Sequence, residues 1–345
     1  MTLPRVAEFS SAVPETTKMR AMDAIRMDSV GKNAFESREL WKPAISRGAF
    51  GGQMAAQALM AASKTVPPHF SVNSLHSYFL LPGNIEVPIL YKVEEIRSGR
   101  SFASRSVHAF QSEKKVFTMI CSFQVFEKSG VEHQYVMPSV LGPEYYKPEL
   151  RFEGTRSIFG SSGPSLYELA GNVGVIGRSV TKENLDVDYL SAHPLPEPQA
   201  NVGESADSPH AFRRWWLKPD YEPSEGENTF VSDQCVLTYF SDFRCLFTTT
   251  LPHNLKRGSS TNFGISMMAS LDHSIWFHAP FSASEWMLYD LETSRASSGR
   301  GYVTGRVFSR DGVLVASVAQ EGLLRVTDTG DTVDPVMIKN NPPQI

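Results

Sequence analysis

Cysteine is scarce in this sequence. Only three of its 345 residues are cysteines, namely Cys121, Cys235 and Cys245. No Cys-x-x-Cys pair occurs among them, which argues against a disulfide framework and against a structural zinc site. Cys235 lies among apolar residues, so we interpret it as a buried and unreactive thiol. The cysteines fit a reducing compartment.

Long apolar runs and an excess of one charge are also missing. No stretch of about eighteen apolar residues occurs, so we expect no membrane span. The formal net charge of −4 gives no overall attraction to nucleic acid or to anionic membranes. The N-terminus lacks the apolar core of a secretory signal. The remaining composition, 41% hydrophobic and 20% charged, is typical of a globular protein.

The first patterned block begins with a helix. Residues Gly51–Ala62 are rich in Ala, Leu, Met and Gln, which predicts a buried helix that begins at the Gly-Gly step and ends before Pro67. Segments with β-branched and aromatic residues follow: Val72–Leu80, Val87–Arg97, Phe102–Gln111 and Lys115–Phe126. A helix followed by a meander of strands predicts a curved antiparallel sheet wrapped around that helix.

A second block has the same order of elements. Residues Asp233–Phe247 predict an apolar helix with Asp233 as its N-cap. The segment Arg213–Leu217 predicts the start of a strand, with its two tryptophans in the core. Further strands are expected at Ser266–Phe277, Trp286–Ser294, Gly301–Ser309 and Leu314–Val326.

Composition divides the chain. Prolines, glycines and serines recur between the blocks, which is typical of a linker. We therefore expect a leader at 1–30, a first domain at 31–130, a linker at 131–211, a second domain at 212–328 and a tail at 329–345.

The two blocks also resemble each other residue by residue. Leu75-His76-Ser77 matches Asp272-His273-Ser274, and Ser122-Phe123-Gln124 matches Val318-Ala319-Gln320. Self-similarity at this scale predicts a duplicated domain. On this alignment Gln124 is the counterpart of Gln320, but the first helix has no Asp, so we expect one active site per chain.

Several strings resemble the acyl-CoA thioesterase II family, which includes TesB-like bacterial enzymes and peroxisomal eukaryotic ones. The strings are Arg47–Gln53, His76–Gly83, Leu271–His278, Ser294–Gly301 and Asp311–Gly322. Their order and length make a stronger signal than one short motif. The resemblance implies an α+β double hotdog fold, with two tandem hotdog domains in which a curved antiparallel sheet wraps a long helix.

The resemblance also implies a catalytic set. Its members here are Asp242, Ser270 and Gln320, which would hold a water that attacks the thioester directly. No Gly-x-Ser-x-Gly turn supports a covalent serine route. Taken alone, each of the three is typical of an ordinary polar residue on a helix or strand. It is their joint match to the family's catalytic positions that favours a catalytic role.

Further site residues follow from the same resemblance. The backbone at the start of the first helix, Gly51, Gly52 and Gln53, would lie near the oxyanion. His76 and His273 would lie near the substrate, and for them we favour a structural or hydrogen-bonding role over that of a base.

The family implies acyl-CoA as the substrate and no metal or redox cofactor. It also implies a homodimer or homotetramer, in the cytoplasm or in peroxisomes, although the C-terminal residues Pro343, Gln344 and Ile345 do not form a Ser-Lys-Leu type address. Two alternatives stay open, a hotdog-fold hydratase or dehydratase and a non-catalytic acyl-CoA binding module.

Overall fold

A computed structural model describes residues 21–43, 46–128, 130–145, 150–154, 187–195, 211–223, 229–253 and 264–326. The expected tail at 329–345 lies outside the described residues, as does most of the expected linker. Among the described residues, no helix combines the length and the apolar character that crossing a membrane requires.

The first half is built around one internal helix. Its elements are α1 (Ala21–Ile25), β1 (Met27–Gly31), β2 (Ala34–Ser37), α2 (Gly51–Ser63), β3 (Phe70–Phe79), β4 (Leu90–Ser98), β5 (Phe102–Gln111) and β6 (Lys114–Val125). Ten of the 13 residues of α2 are buried, which explains why the helix has no polar face. The predicted helix and four strands are confirmed. Part of the expected leader is structured, since it carries α1 and β1.

The second half repeats this plan. Its elements are β7 (Leu150–Gly154), β8 (Val187–Pro194), β9 (Phe212–Pro219), α3 (Thr229–Ser241), β10 (Ile265–Ser270), β11 (Asp272–Phe277), β12 (Met287–Ser297), β13 (Arg300–Ser309) and β14 (Leu314–Val326). A 3-10 helix covers Leu246–His253. Strands β7 and β8 lie in the region expected to be a linker, and β8 pairs with β9.

Two expectations for α3 are wrong. The helix begins at Thr229 and ends at Ser241, whereas Asp233–Phe247 was expected. Asp233 is therefore not an N-cap, and its carboxylate instead accepts the backbone N–H of Ala283 at 2.8 Å. The helix cannot continue as far as Phe247, because Arg244 has a φ of 51°.

All strands belong to one antiparallel sheet that runs through both halves. Its order is β1-β2-β4-β5-β6-β3-β11-β14-β13-β12-β9-β8-β7, and β10 also pairs with β14. The halves meet where β3 pairs with β11, with Leu75 opposite Ile275. The two tandem units of one helix and one curved sheet confirm the double hotdog fold.

The helices α2 and α3 pack against each other on the inner side of the sheet. Trp41 donates its indole N–H to the Tyr239 hydroxyl at 2.9 Å. A Cβ atom on Gly52 would lie 2.1 Å from the carbonyl oxygen of Tyr239, so this glycine permits the close approach. The packing puts the N-terminus of α2 beside the residue that follows α3, which is Asp242.

Candidate active site

A break in one strand shapes the candidate site. The sequence predicts a continuous strand at Ser266–Phe277, but the structure interrupts it at Leu271. Ser270 pairs with Gly322 and Ser274 pairs with Ala319. The segment from Ser270 to Ser274 therefore contains one residue more than the segment of β14 opposite it, as in a β-bulge. The carboxylate of Asp272 accepts the Glu321 backbone N–H at 2.7 Å. The extra residue allows both Ser270 and His273 to contact Gln320 on β14.

Asp242, Ser270 and Gln320 form a closed triangle of hydrogen bonds. The Gln320 amide nitrogen donates to Asp242 Oδ1 at 2.7 Å and to Ser270 Oγ at 2.6 Å. Ser270 Oγ donates to Asp242 Oδ1 at 3.2 Å. Gln320 is fully buried, whereas Ser270 and Asp242 are half-buried and reach the surface of the cluster. The structure thus brings together the three residues expected from the sequence.

Asp242 stands between the two halves of the protein. It was expected on the second helix, but it follows the last residue of α3. Its Oδ2 accepts the backbone N–H of Gly52 at 2.9 Å. This N–H lies in the first turn of α2, where unpaired amides and the helix dipole favour a negative charge.

Gly51 is packed against the same carboxylate. A Cβ atom on Gly51 would lie 2.7 Å from Asp242 Oδ2 and 3.0 Å from the ring of Phe79. A residue larger than glycine at position 51 would displace the Asp242 carboxylate. Both glycines expected near the oxyanion therefore lie against the carboxylate of Asp242.

The far side of Gln320 faces a buried histidine. Its Oε1 lies 3.0 Å from Nδ1 of His273, and Nε2 of that ring lies 2.7 Å from Ser241 Oγ. Burial lowers the pKa of His273, while Asp242, the Gln320 hydrogen bond and Asp272 act in the opposite direction. Because His273 is fully buried, the neutral ring is the form consistent with the site.

Two other expected site residues lie outside this cluster. The Gln53 side chain is buried, accepts the backbone N–H of Trp41 at 3.2 Å and donates to the carbonyls of Ala24 and Glu39, so it holds the N-terminal segment. His76 is exposed on the outer face of the sheet, where its Nδ1 lies 3.1 Å from Ser274 Oγ. The structure does not bring either side chain to Asp242.

The strand faces correct the alignment of the two halves. Gln320 is fully buried on the inner face, but Gln124 is half-buried beside the inward-facing Phe123. The inner residues of β3 and β6 nearest the equivalent place are Leu75 and Cys121, which pair with each other. Gln124 is thus not the counterpart of Gln320, whose place in the first half is taken by Cys121.

Sequence reasoning missed Ser241 and Asp272. Both are next to residues that were singled out, and Asp272 belongs to the Asp-His-Ser string. Their roles depend on the helix end and on the strand break, which leave no local sequence signal. Among the described residues, no group of three or more His, Cys, Asp or Glu side chains could hold a metal ion.

Two family models match the chain. Residues 38–124 match the model described as acyl-CoA thioesterase N-terminal domain. Residues 212–323 match the model described as acyl-CoA thioesterase. The matches correspond to the two halves of the sheet and leave the intervening region unmatched.

Curated relatives are similar to this chain over most of their length. It is 36% identical to acyl-coenzyme A thioesterase 8 of Mus musculus, with 88% of each chain covered. It is 35% identical to acyl-CoA thioesterase 2 of Haemophilus influenzae, over 82% of this chain and 89% of the other. A solved structure titled acyl-CoA thioesterase II TesB2 from Mycobacterium marinum has a TM-score of 0.64 and 27% identity, covering 89% of this chain and 97% of that one.

Proposed function

The chain belongs to the acyl-CoA thioesterase family and is an acyl-CoA thioester hydrolase, and we propose that Asp242, Ser270 and Gln320 hold its attacking water. The observation that carries the proposal is the triangle of contacts between these side chains, which come from three separate elements. A carboxylate, a hydroxyl and an amide within hydrogen-bonding reach of one another can bind and orient a water molecule.

The water would dock between Ser270 and Asp242. These two residues are half-buried, whereas Gln320 is fully buried behind them. Their 3.2 Å contact is the longest of the triangle, so it is the one that a water displaces most easily. Gln320 then holds the Asp242 carboxylate and the Ser270 hydroxyl in place through its two hydrogen bonds.

Asp242 acts as the general base. The water oxygen attacks the thioester carbonyl carbon while its proton passes to Asp242, which gives a tetrahedral oxyanion. The intermediate collapses as the carbon–sulfur bond breaks, and the departing thiolate takes the proton from Asp242. The products are a free acid and coenzyme A. A thiolate is a stable leaving group, so no stronger acid is needed.

The N-terminus of α2 serves both stages of the reaction. Before attack, it stabilises the charge on Asp242 through the Gly52 N–H at 2.9 Å. When Asp242 takes the proton, the negative charge moves to the carbonyl oxygen next to it. Gly51 and Gly52 allow that oxygen to approach the same helix end, whose field then stabilises the oxyanion.

Thiol release from a panel of acyl-CoA substrates tests the mechanism. Asp242→Asn should lower kcat about 1000-fold because the base is removed. Ser270→Ala should lower it about tenfold to 100-fold because the water is held less well. Asp220→Asn and Ser266→Ala, on exposed residues of the same types, are the matched controls and should keep wild-type kcat.

A folded Asp242→Asn variant with wild-type turnover would refute the role of the base. A panel that includes enoyl-CoA also addresses the alternatives: a hydratase would consume the double bond without releasing thiol, and a binding module would release none. The panel, run from short to long chains, additionally gives the acyl chain length.

We also propose that the chain forms a homodimer or homotetramer through the outer face of the sheet. The outward residues where β3 and β6 pair include no Lys, Arg, Asp or Glu: they are Ser74, His76, Tyr78, Thr118, Ile120 and Ser122. Interface centres are depleted in charged residues and enriched in aromatic ones. Ile120→Glu should lower the mass measured by light scattering to that of one chain, and an unchanged mass would refute this interface. The compartment, cytoplasmic or peroxisomal, stays a prediction.

A further inference from the structure

We infer that His273 is a positioning residue for the hydrolysis, whose Nδ1–H fixes the orientation of the Gln320 amide. The inference rests on the proposed function of Asp242, Ser270 and Gln320. His273 is fully buried and contacts none of the reacting groups directly; it acts through Gln320.

The Gln320 amide is useful in only one of its two orientations. Its nitrogen donates to Asp242 Oδ1 at 2.7 Å and to Ser270 Oγ at 2.6 Å. After a flip of the amide, the carbonyl oxygen would face the carboxylate at that short distance, and two acceptors would repel each other. Asp242 and Ser270 would then no longer be held for the water.

His273 opposes that flip from the other side. With a proton on Nδ1, the ring donates to Gln320 Oε1, 3.0 Å away. In the flipped orientation, the amide NH2 would face this N–H, and two buried donors would lose their partners. The orientation is thus fixed by a carboxylate at one end of Gln320 and by an N–H at the other.

Ser241 contacts the other nitrogen of the His273 ring. Its Oγ lies 2.7 Å from Nε2 of His273 and 2.9 Å from the carbonyl oxygen of Thr238. The Ser241 hydroxyl has one proton, which it can donate either to the Thr238 carbonyl or to Nε2. With the Nδ1 proton of the neutral ring directed at Gln320 Oε1, Nε2 is an acceptor and can take the proton of this hydroxyl. Ser241 at the end of α3, His273 and Gln320 thus form one continuous chain of hydrogen bonds to Asp242.

The interruption of the strand at Leu271 makes this chain of hydrogen bonds possible. In a regular strand, Ser270 and His273 would point to opposite faces, since they are three residues apart. The extra residue in β10 and β11 relative to β14 turns both toward Gln320. In the first half, the inner residues Leu75 and Cys121 offer no such hydrogen bond between their side chains.

Two amide substitutions at His273 separate positioning from packing. In His273→Asn, the side-chain nitrogen can take the place of Nδ1 and still donate to Gln320. In His273→Gln, the longer side chain reaches toward Ser241 and leaves Gln320 without this donor. We expect kcat to fall about 100-fold in His273→Gln and less than about tenfold in His273→Asn, with KM unchanged in both.

The effect should vanish when Gln320 is absent. In a Gln320→Ala background, His273→Gln should cause no further loss of kcat, because His273 acts through that amide. A further loss of the same size, or equal losses in the Asn and Gln variants, would overturn the inference. Asp242→Asn, measured in parallel, tests the proposed function separately. Wild-type turnover in that variant would count against the base rather than against the histidine.

Ser241 provides a test that leaves His273 in place, in case the histidine variants do not fold. Ser241→Ala removes the hydroxyl that can donate to Nε2 of His273, and we expect kcat to fall several-fold at unchanged KM. Ser241→Thr keeps a hydroxyl and should restore kcat. Wild-type kcat in Ser241→Ala would overturn the inference.

Discussion

The two halves of this protein share one architecture and differ in the chemistry of equivalent places. Both have a 13-residue helix on the inner side of the sheet. The helix of the first half is followed by Lys64, and that of the second half by Asp242. On the inner face, the first half carries Leu75 and Cys121 where the second carries His273 and Gln320.

The difference shows how a duplicated fold can support one site. The described part of the first half contributes no side chain to the triangle of Asp242, Ser270 and Gln320, yet the N–H of its Gly52 binds Asp242. One half therefore supplies the polar side chains and the other supplies a helix end for their negative charge. The contact between the two helices couples the halves at this point.

Substitution of the buried glutamine should give the largest effect. Gln320→Leu keeps the side-chain size but removes both donors to Asp242 and Ser270, and we expect kcat to fall about 1000-fold. Gln124 lies on the outward-facing side of β6, outside the site. The kcat of Gln124→Leu should therefore stay within about twofold of wild type. Similar losses in both variants would restore the alignment that made Gln124 the counterpart of Gln320.

Gly52→Ala tests the contact between the halves. An alanine usually stabilises a helix relative to glycine by about 0.5–1 kcal/mol. Here its Cβ would lie 2.1 Å from the Tyr239 carbonyl, so the helices must separate. We expect a loss of about 2 kcal/mol in unfolding free energy, measured by urea denaturation, together with lower activity. A stabilised variant would show that the helices do not pack this closely.

The fifth residue of each helix offers a test of pH dependence. It is Ala55 in α2 and Asp233 in α3, and both are buried. Burial raises the pKa of Asp233 from 3.8 to about 6, opposed by the Ala283 N–H. Because the folded state holds this proton more tightly, the resulting stability is present below about pH 3.8 and is lost as the pH rises through 6.

Asp233→Asn should therefore stabilise the protein only where Asp233 is ionised. We expect a gain of about 1–2 kcal/mol near pH 8 and almost none near pH 4. Thermal unfolding at the two pH values measures the difference. An equal gain at both would mean that the charge of Asp233 is not what costs stability.

Thiol modification should give the smallest effect. Burial raises the pKa of Cys121 to about 12, and it raises the pKa of Cys235 and Cys245 further. All three are thus neutral and enclosed thiols in both halves. Native protein treated with iodoacetamide should keep full activity and remain unlabelled at these cysteines by mass spectrometry. Rapid labelling of the folded protein would contradict their burial.

Much of the fold could be predicted because the local signals are strong. The helix at Gly51 and the strands Phe102–Gln111 and Leu314–Val326 begin or end as expected. The end of α3 was predicted six residues too late, since apolar residues continue past it into the 3-10 helix. Strands β7 and β8 were missed because their surroundings are typical of a linker in composition.

The sequence by itself determined the family, the double hotdog fold and the three polar residues that meet in the site. Only the tertiary structure decided which histidine faces them. His76 and His273 stand in similar strings, but a strand's inner face depends on bulges and pairing register, which are set by contacts far apart in the chain. The partnership of Asp242 with the N-terminus of α2 likewise arises from the packing of two helices, which no local pattern encodes.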